Sequence, residues 1–219
     1  MDTDGEGVPV PWDWEPERKL IRGLSARLGA LVDYVYDVRQ RAEARAGLML
    51  DIAASQAGTE ERLLAAIGSD ERRLRLLEQA IRAAETSRVE EKVHAIGRAL
   101  ASGALAEDDA VIDEVSILIA AIADLEIPHI RVLRLLMQIP LTLGQLGSQL
   151  RASPELIQAL VAALRRHVLI FDGGILIGGP RDDDPQRDFE QRRQIEITGF
   201  GLKLLKYLTE AGVRPERSS

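Results

Sequence analysis

The chain of 219 residues contains no cysteine, only three histidines and few aromatic residues, which make up 4% of it. Without cysteine it can form no disulfide and carry out no thiolate chemistry, which is typical of the reducing cytoplasm. Its longest uncharged run, 135–150, includes Pro140 and two glycines and is too short to span a bilayer. Because its first residues are acidic and polar, we expect no signal peptide. These absences predict a soluble, cytoplasmic protein without a membrane segment.

Patterns that carry enzyme or metal chemistry are also absent. No two of the three histidines stand at helical ligand spacing, and the acidic run 182–184 lacks the spaced ligands and the glycine of a calcium loop. No glycine-rich loop precedes a Lys-Ser or Lys-Thr pair, and no serine has the context of a nucleophile elbow. We therefore expect no metal, no cofactor and no enzymatic activity.

Charge is unevenly distributed along the chain, whose net charge is −7. Residues 1–58 hold 7 basic and 10 acidic residues, and residues 59–127 hold 8 and 15. Residues 128–219, with 13 basic and 10 acidic residues, form the only net-basic part. This polarity is expected if the C-terminal part meets phosphate, although so small an excess is also an ordinary fluctuation of composition.

The N-terminal region predicts a tail followed by long helices. Residues 1–16 lack periodicity and contain Trp12 and Trp14, which either dock on a protein partner or, as we favour, cover an apolar groove of their own chain. From 17 to about 55, apolar residues recur at spacings of three and four. This heptad seam favours a coiled-coil dimer, or an antiparallel hairpin with the next helix, and Arg45 interrupts it.

The middle of the chain predicts further helices of a bundle. Ser69 and Asp70 cap a long helix that runs to about Ser102, with a first apolar stripe from Leu74 and a second, displaced one from Val89. Residues 110–125 are apolar on almost every side, which is typical of a helix inside a bundle or an interface. Pro128 marks a domain boundary, so that 17–127 is expected to be a bundle or a coiled-coil dimerisation region.

Residues 129–164 predict a helix-turn-helix. A broad apolar helix face ends at Pro140, and Thr142 caps a short second helix. Ser153 is expected to cap a third helix with Pro154 in its first turn. Five residues are predicted to form the buried face of that helix: Leu156, Ile157, Leu160, Val161 and Leu164.

A hairpin and a closing helix follow in the sequence. The runs 168–171 and 175–177 are β-branched or bulky and flank Asp172, Gly173 and Gly174, which predict a tight turn. After a polar loop, residues 195–198 alternate like a strand with one buried face, and Thr198 caps a last helix. The run 195–205, Ile-Glu-Ile-Thr-Gly-Phe-Gly-Leu-Lys-Leu-Leu, resembles the strand-to-helix exit of winged-helix regulators of the multiple-antibiotic-resistance type.

The predicted fold is therefore mainly α, with an N-terminal long-helix or helical-bundle region followed by a winged helix with a small β-hairpin. The winged helix is assigned to residues 128–212 and a second tail to 213–219. In such a domain the third helix enters the major groove of DNA. The residues expected to contact nucleic acid are Arg151, Ser153, Gln158, Arg165, Arg166, Arg192 and Arg193.

Two functions remain open at this level. The first is a regulator that binds double-stranded DNA and is a homodimer through its N-terminal helices. Against it, Ala159 and Ala162 offer little for reading bases, and the acidic residues of the loop 178–194 outnumber its four arginines. The second is a non-enzymatic interaction or assembly protein whose winged helix packs on a partner chain.

Overall fold

The computed structural model describes the backbone of residues 26–175 and 192–209, and the side chains of residues 36–175 and 192–209. These residues are mainly helical with one small antiparallel sheet, as predicted. The helices are α1 (Ala26–Ala57), α2 (Glu60–Gly68), α3 (Glu71–Thr86), α4 (Glu90–Ala104), α5 (Asp109–Asp124), α6 (Ile127–Leu136), α7 (Leu143–Leu150), α8 (Pro154–Arg166) and α9 (Gly199–Thr209). The strands are β1 (Leu141–Thr142), β2 (Ile170–Ile175) and β3 (Arg193–Ile197). Both predicted tails, with Trp12 and Trp14, lie outside the described residues.

The chain divides into two units, Met1–Ala44 and Arg45–Ser219. In the first unit the described residues belong to α1, where Arg39 forms an ion pair with Glu43 at 2.9 Å. Val38, a residue of the predicted heptad seam, is 43% exposed. The side chains of the seam that precede it lie outside the described residues, so the partner of this seam stays a prediction.

In the second unit α4 is buried along most of its length and packs against α3, α5 and α9. Two glycines let other chain segments approach it closely. A Cβ at Gly97 would lie 2.6 Å from the carbonyl oxygen of Met49, and one at Gly103 would lie 2.6 Å from a methyl of Leu76. The core is therefore built around a helix that has no room for side chains at these two positions.

The single long helix predicted from Ser69 to Ser102 is wrong, because the structure has two helices there. The chain is extended at Ser87, whose N–H bonds to the carbonyl of Ala84 and so ends α3. The break lets α4 turn and pack back on α3. The face of α3 also differs from the prediction, since Leu74 is 48% exposed and Leu76 is buried. The second predicted stripe is largely buried in α4.

The C-terminal part begins with the three predicted helices and ends with the predicted last helix, but the strands between them differ from the prediction. One strand, β2, stands where the sequence predicts a hairpin of strands 168–171 and 175–177, of which residues 176–177 lie outside the described residues. The short strand β1 is added before α7. The sheet is antiparallel with the order β1-β3-β2. Three predicted caps are present: the hydroxyls of Thr142, Ser153 and Thr198 accept the N–H groups of Gln145, Leu156 and Gly201. Local side-chain chemistry therefore sets where α7, α8 and α9 begin.

The predicted tight turn at Asp172-Gly173-Gly174 is wrong. All three residues lie inside β2, which pairs with β3, and Asp172 is opposite Ile195. The two glycines form an irregularity in the pairing, because β2 has one more residue than β3 between its pairs Asp172–Ile195 and Ile175–Arg193. A β-bulge accommodates glycines without reversing the chain, which is why the turn chemistry misled the prediction.

Helix α9 is attached to α4 and α5. Arg98, 7% exposed, donates to the carbonyl of Tyr207, and Lys203 forms an ion pair with Glu114 at 2.6 Å. Residues of the predicted bundle and of the predicted winged helix are thereby packed in one unit. The predicted division at 127/128 falls inside the first turn of α6, which begins at Ile127, and as a division into domains it stays a prediction.

Candidate nucleic-acid interface

The outer face of α8 is the surface on which the predicted nucleic-acid contacts were placed. Its inner face is formed by the buried residues Ile157, Leu160, Val161 and Leu164. Leu156, predicted to be buried with them, is instead 48% exposed. It stands one position before Ile157, so the helix turn carries it to the edge of the buried stripe. The outer face therefore mixes apolar Leu156, Ala159 and Ala162 with the exposed polar residues Glu155, Gln158, Arg165 and Arg166.

Two arginines from different elements meet on one carboxylate. Arg165 of α8 donates to Oδ1 of Asp172, and Nη2 of Arg193 on β3 lies 3.0 Å from its Oδ2. The side chain of Asp172 is 22% exposed, against 42% for Arg165 and 44% for Arg193. These two ion pairs thus connect the C-terminal end of α8 to β2 and β3.

These residues border a cavity of about 370 Å³ between α7, α8 and the sheet. Three of the predicted contact residues, Gln158, Arg165 and Arg193, are brought together there. Apolar walls come from Leu143, Val161 and Ile195. The cavity therefore presents two guanidinium groups and one amide, with a single carboxylate between the guanidinium groups.

Arg166 belongs to a different cluster, although it follows Arg165 in sequence. Its Nη2 lies 3.7 Å from Oδ2 of Asp124, and Nε2 of His167 lies 3.1 Å from the same oxygen. Asp124 is the last residue of α5, so this cluster joins the end of α8 to the bundle. Arg166 therefore pairs toward the bundle rather than toward the cavity, and its side chain stays 68% exposed.

The remaining predicted residues do not line the cavity. Arg151 is exposed and adopts a left-handed conformation with φ of 53° at the C-terminus of α7. The hydroxyl of Ser153 is occupied as the cap of α8. The backbone N–H of Glu155 and, to a smaller extent, this hydroxyl lower the pKa of the Glu155 carboxyl. Arg192 is half-buried just before β3.

Sequence reasoning missed both carboxylates that hold the arginines. The two glycines after Asp172 predict a turn there, and the apolar pattern of residues 110–125 predicts a helix at Asp124 without indicating a contact. The signal that could have identified Asp172 is its position two residues after Ile170, on the inner face of the strand. A carboxylate on an inner face requires a partner because burying an unpaired charge is unfavourable.

The end of α8 has an unusual backbone. Val168 has a φ of 56° and is 65% exposed. Its N–H bonds to the carbonyl of Arg165, and the N–H of Leu169 bonds to that of Leu164. This pair of bonds is a Schellman motif, in which the position of Val168 usually holds glycine. The β-branched side chain is therefore strained where α8 passes into β2.

The part of the chain that the structure describes contains no cluster of side chains suited to binding a metal ion. Among those residues no group of three or more His, Asp or Glu side chains could hold a metal ion. Within the same residues, no helix combines the length and the apolar character needed to cross a membrane.

Neither a protein-family model, nor a curated protein, nor a solved structure matches the chain. The function must therefore be inferred from the chain's own residues.

Proposed function

We propose that residues 128–212 form a winged helix that binds double-stranded DNA, and that the protein is a cytoplasmic transcription regulator. The observation that carries this proposal is the convergence of Arg165, Arg193 and Gln158 on one cavity beside α8. The order of the elements from α6 to α9 and the sheet order β1-β3-β2 are consistent with a helix-turn-helix followed by a strand pair.

In this proposal α8 is the recognition helix. Gln158 is exposed in the N-terminal half of this helix. It is suited to pair with adenine, since glutamine matches the donor and acceptor of that base. Arg165 and Arg193 bind the phosphate backbone, which sets the orientation of the helix. Arg151, Ser153, Arg166 and Arg192 flank the contact as secondary residues.

The proposal also covers the oligomeric state of the protein and its location in the cell. The heptad seam of 17–55 pairs two chains, because DNA-binding proteins with a helix-turn-helix commonly bind two half-sites as dimers. A cytoplasmic location is supported by the complete lack of cysteine in the 219 residues.

The test is fluorescence anisotropy with a labelled duplex pool of random sequence, about 30 base pairs long so that it spans two half-sites. Contact with several phosphates produces a steep decrease of affinity with salt, with a slope of about −0.9 for each phosphate bound. The variant Arg165→Ala is expected to weaken binding to every duplex and to make the slope shallower. Gln158→Ala is expected to relax sequence preference in a pool selected by the protein.

The matched control is Arg131→Ala, which removes an exposed arginine of α6 that does not line the cavity. It changes the net charge by the same amount and is expected to leave binding nearly unchanged. Absence of binding at low salt, or equal effects of Arg131→Ala and Arg165→Ala, would contradict the proposal.

A second candidate function, docking on a partner protein, is favoured by one observation. Leu156 is 48% exposed on α8, and Ala159 and Ala162 beside it are exposed too. An apolar helix face suits the packing of another protein better than the reading of base edges. Leu156→Glu separates the candidates: loss of a nuclease-resistant complex with unchanged duplex binding supports protein docking, and loss of duplex binding alone supports DNA.

A further inference from the structure

The carboxylate of Asp172 lies where two arginines of the proposed DNA-binding cavity meet. It accepts from Arg165 through Oδ1 and pairs with Arg193 through Oδ2 at 3.0 Å. Both oxygens are thus engaged by guanidinium groups from different elements. Each arginine uses a single Nη2 atom to reach one carboxylate oxygen. Guanidinium groups make the same charge-assisted hydrogen bonds to phosphate oxygens, so two arginines that share a carboxylate can also share a phosphate.

We infer that Asp172 competes with a DNA phosphate for Arg165 and Arg193, and so restrains the affinity of the cavity for DNA. The inference rests on the proposed function and adds a regulatory residue to it. A phosphate that enters the cavity must either displace the carboxylate from the arginines or bind beside it against like-charge repulsion. In both cases the ion pairs of Asp172 with the two arginines lower the affinity of the cavity for phosphate.

The position of Asp172 in its strand supports this role. It stands two residues after the buried Ile170, and alternate residues of a strand point to the same face. The carboxylate is thereby directed to the side on which α8 packs. The pairing irregularity follows immediately at the two glycines, and bulges commonly redirect a side chain next to a functional site.

The same geometry explains why Arg165 and Arg193 stay together without DNA. The carboxylate neutralises one of their two positive charges, so the cavity keeps both guanidinium groups close without strong repulsion between them. A neutral residue at 172 would leave two adjacent cations beside α8. Such a pair attracts phosphate more strongly than the wild-type arrangement does.

The experiment compares duplex binding by the full-length wild-type protein, Asp172→Asn and Asp113→Asn. Asp113 is exposed on α5 beside Arg72 and Arg75, so its variant changes the net charge equally without touching the cavity. Affinity is measured by anisotropy with the random-sequence duplex pool over a salt series. Asp172→Asn is expected to bind roughly three- to tenfold more tightly at low salt, with a slope steeper by about 0.9 to 1.8.

Two further variants separate the inference from a general effect on structure. Adding Arg165→Ala and Arg193→Ala to Asp172→Asn is expected to remove the whole gain, because the gain acts through those arginines. Asp172→Thr, an uncharged residue suited to a strand, is expected to reproduce the gain if the asparagine variant folds poorly. Thermal unfolding of each variant reports whether the fold is kept.

The outcomes distinguish this inference from the proposed function. If the wild type binds duplex but the variants at 172 bind no more tightly than Asp113→Asn, the inference is overturned and the function stands. A gain that survives removal of both arginines also overturns it. If neither the wild type nor the variants at 172 bind duplex at low salt, both are overturned.

Discussion

The ammonium group of Lys92 donates to the backbone carbonyl of Leu125 at 2.6 Å, across the interior of the second unit. It donates also to the carbonyl of Ala123 at 2.8 Å, although Lys92 is only 3% exposed. The last carbonyls of a helix lack partners within the helix and carry partial negative charge. A buried lysine of α4 therefore caps the C-terminus of α5, where the chain turns into α6.

Replacing this lysine is expected to destabilise the protein. Lys92→Met keeps the volume of the apolar stem but leaves one buried and one partly buried carbonyl without this donor, at about 1–3 kcal/mol. Urea unfolding followed by circular dichroism measures the change, and Arg131→Met at an exposed site of α6 is the control. A variant as stable as the wild type would show that the cap contributes nothing.

Lys92 is also expected to make the free energy of unfolding depend on pH, in a direction that follows from its lowered pKa. Burial lowers the pKa of Lys92 below its usual 10.5, and Glu126 and Asp124 only partly oppose this. Between the lowered pKa and 10.5 the unfolded chain binds more protons than the folded one, so this residue makes stability increase with pH there. Unfolding of the wild type and Lys92→Met over this alkaline range is expected to show the increase in the wild type alone.

His129 gives an acid-side prediction. Its Nδ1 accepts the N–H of Glu126 at 3.0 Å in the capping box of α6, and burial lowers its pKa below 6.5. Because the folded pKa is depressed, the stabilisation is complete above 6.5 and is lost as pH falls through the folded value.

The matched variant is His129→Gln, which supplies the acceptor preferred at this position of a capping box and does not titrate. It is expected to keep the stability of the wild type at neutral pH and to remove this part of the decrease in acid. Proton NMR of the imidazole and urea unfolding across the same pH range provide the measurement. An unchanged acid profile in His129→Gln would contradict the assignment.

Val168 is expected to be a residue whose replacement by glycine stabilises the protein. Its φ of 56° is unfavourable for a β-branched side chain, and its exposed position means that little packing is lost. Val168→Gly is predicted to raise the free energy of unfolding by about 0.5–1 kcal/mol, the strain relieved less the entropy of glycine. Val168→Ala, which keeps Cβ, should gain less. If Val168→Gly instead lowers the free energy of unfolding, the valine side chain makes a stabilising contact that glycine removes.

Two helical glycines are expected to respond to alanine in opposite directions. Gly97→Ala places a Cβ against the carbonyl of Met49 and should destabilise by about 1–3 kcal/mol through overpacking. Gly47, in α1, has no atom within 4 Å of the added Cβ, so Gly47→Ala should stabilise by about 1 kcal/mol through helix propensity. Thermal unfolding of both variants measures this difference. Equal effects would argue against close packing at Gly97.

The helices and their starting points were largely predictable because their signals are local. Thr142, Ser153 and Thr198 cap helices through groups only three residues away, and the apolar spacing of α8 identified four buried residues. Breaks within long periodic regions were less predictable. The extended backbone at Ser87 separates α3 from α4 although neither glycine nor proline stands there. At this break the hydroxyl of Ser87 bonds to the backbone of Val89, and serine is a weaker signal for a break than glycine or proline.

The sequence predicted several residues of the candidate site but not how they are arranged in space. Gln158, Arg165 and Arg193 were identified as polar residues left over by the buried faces, and the structure brings them to one cavity. Asp172 was missed, because its neighbouring glycines indicate a turn whenever the pairing partner of the strand is unknown. The register of β2 against β3 joins residues 18 to 27 positions apart and decides where Asp172 lies.

By itself, then, the sequence determined the mainly helical class, several helix caps, the four C-terminal helices and the net-basic C-terminal part. These follow from periodicity, capping and charge, which act over a few residues or over composition. Only the tertiary structure decided that Asp172 joins Arg165 to Arg193 and that Asp124 holds Arg166. Ion pairs form wherever packing brings opposite charges together, so their partners depend on strand register and helix docking rather than on spacing along the chain.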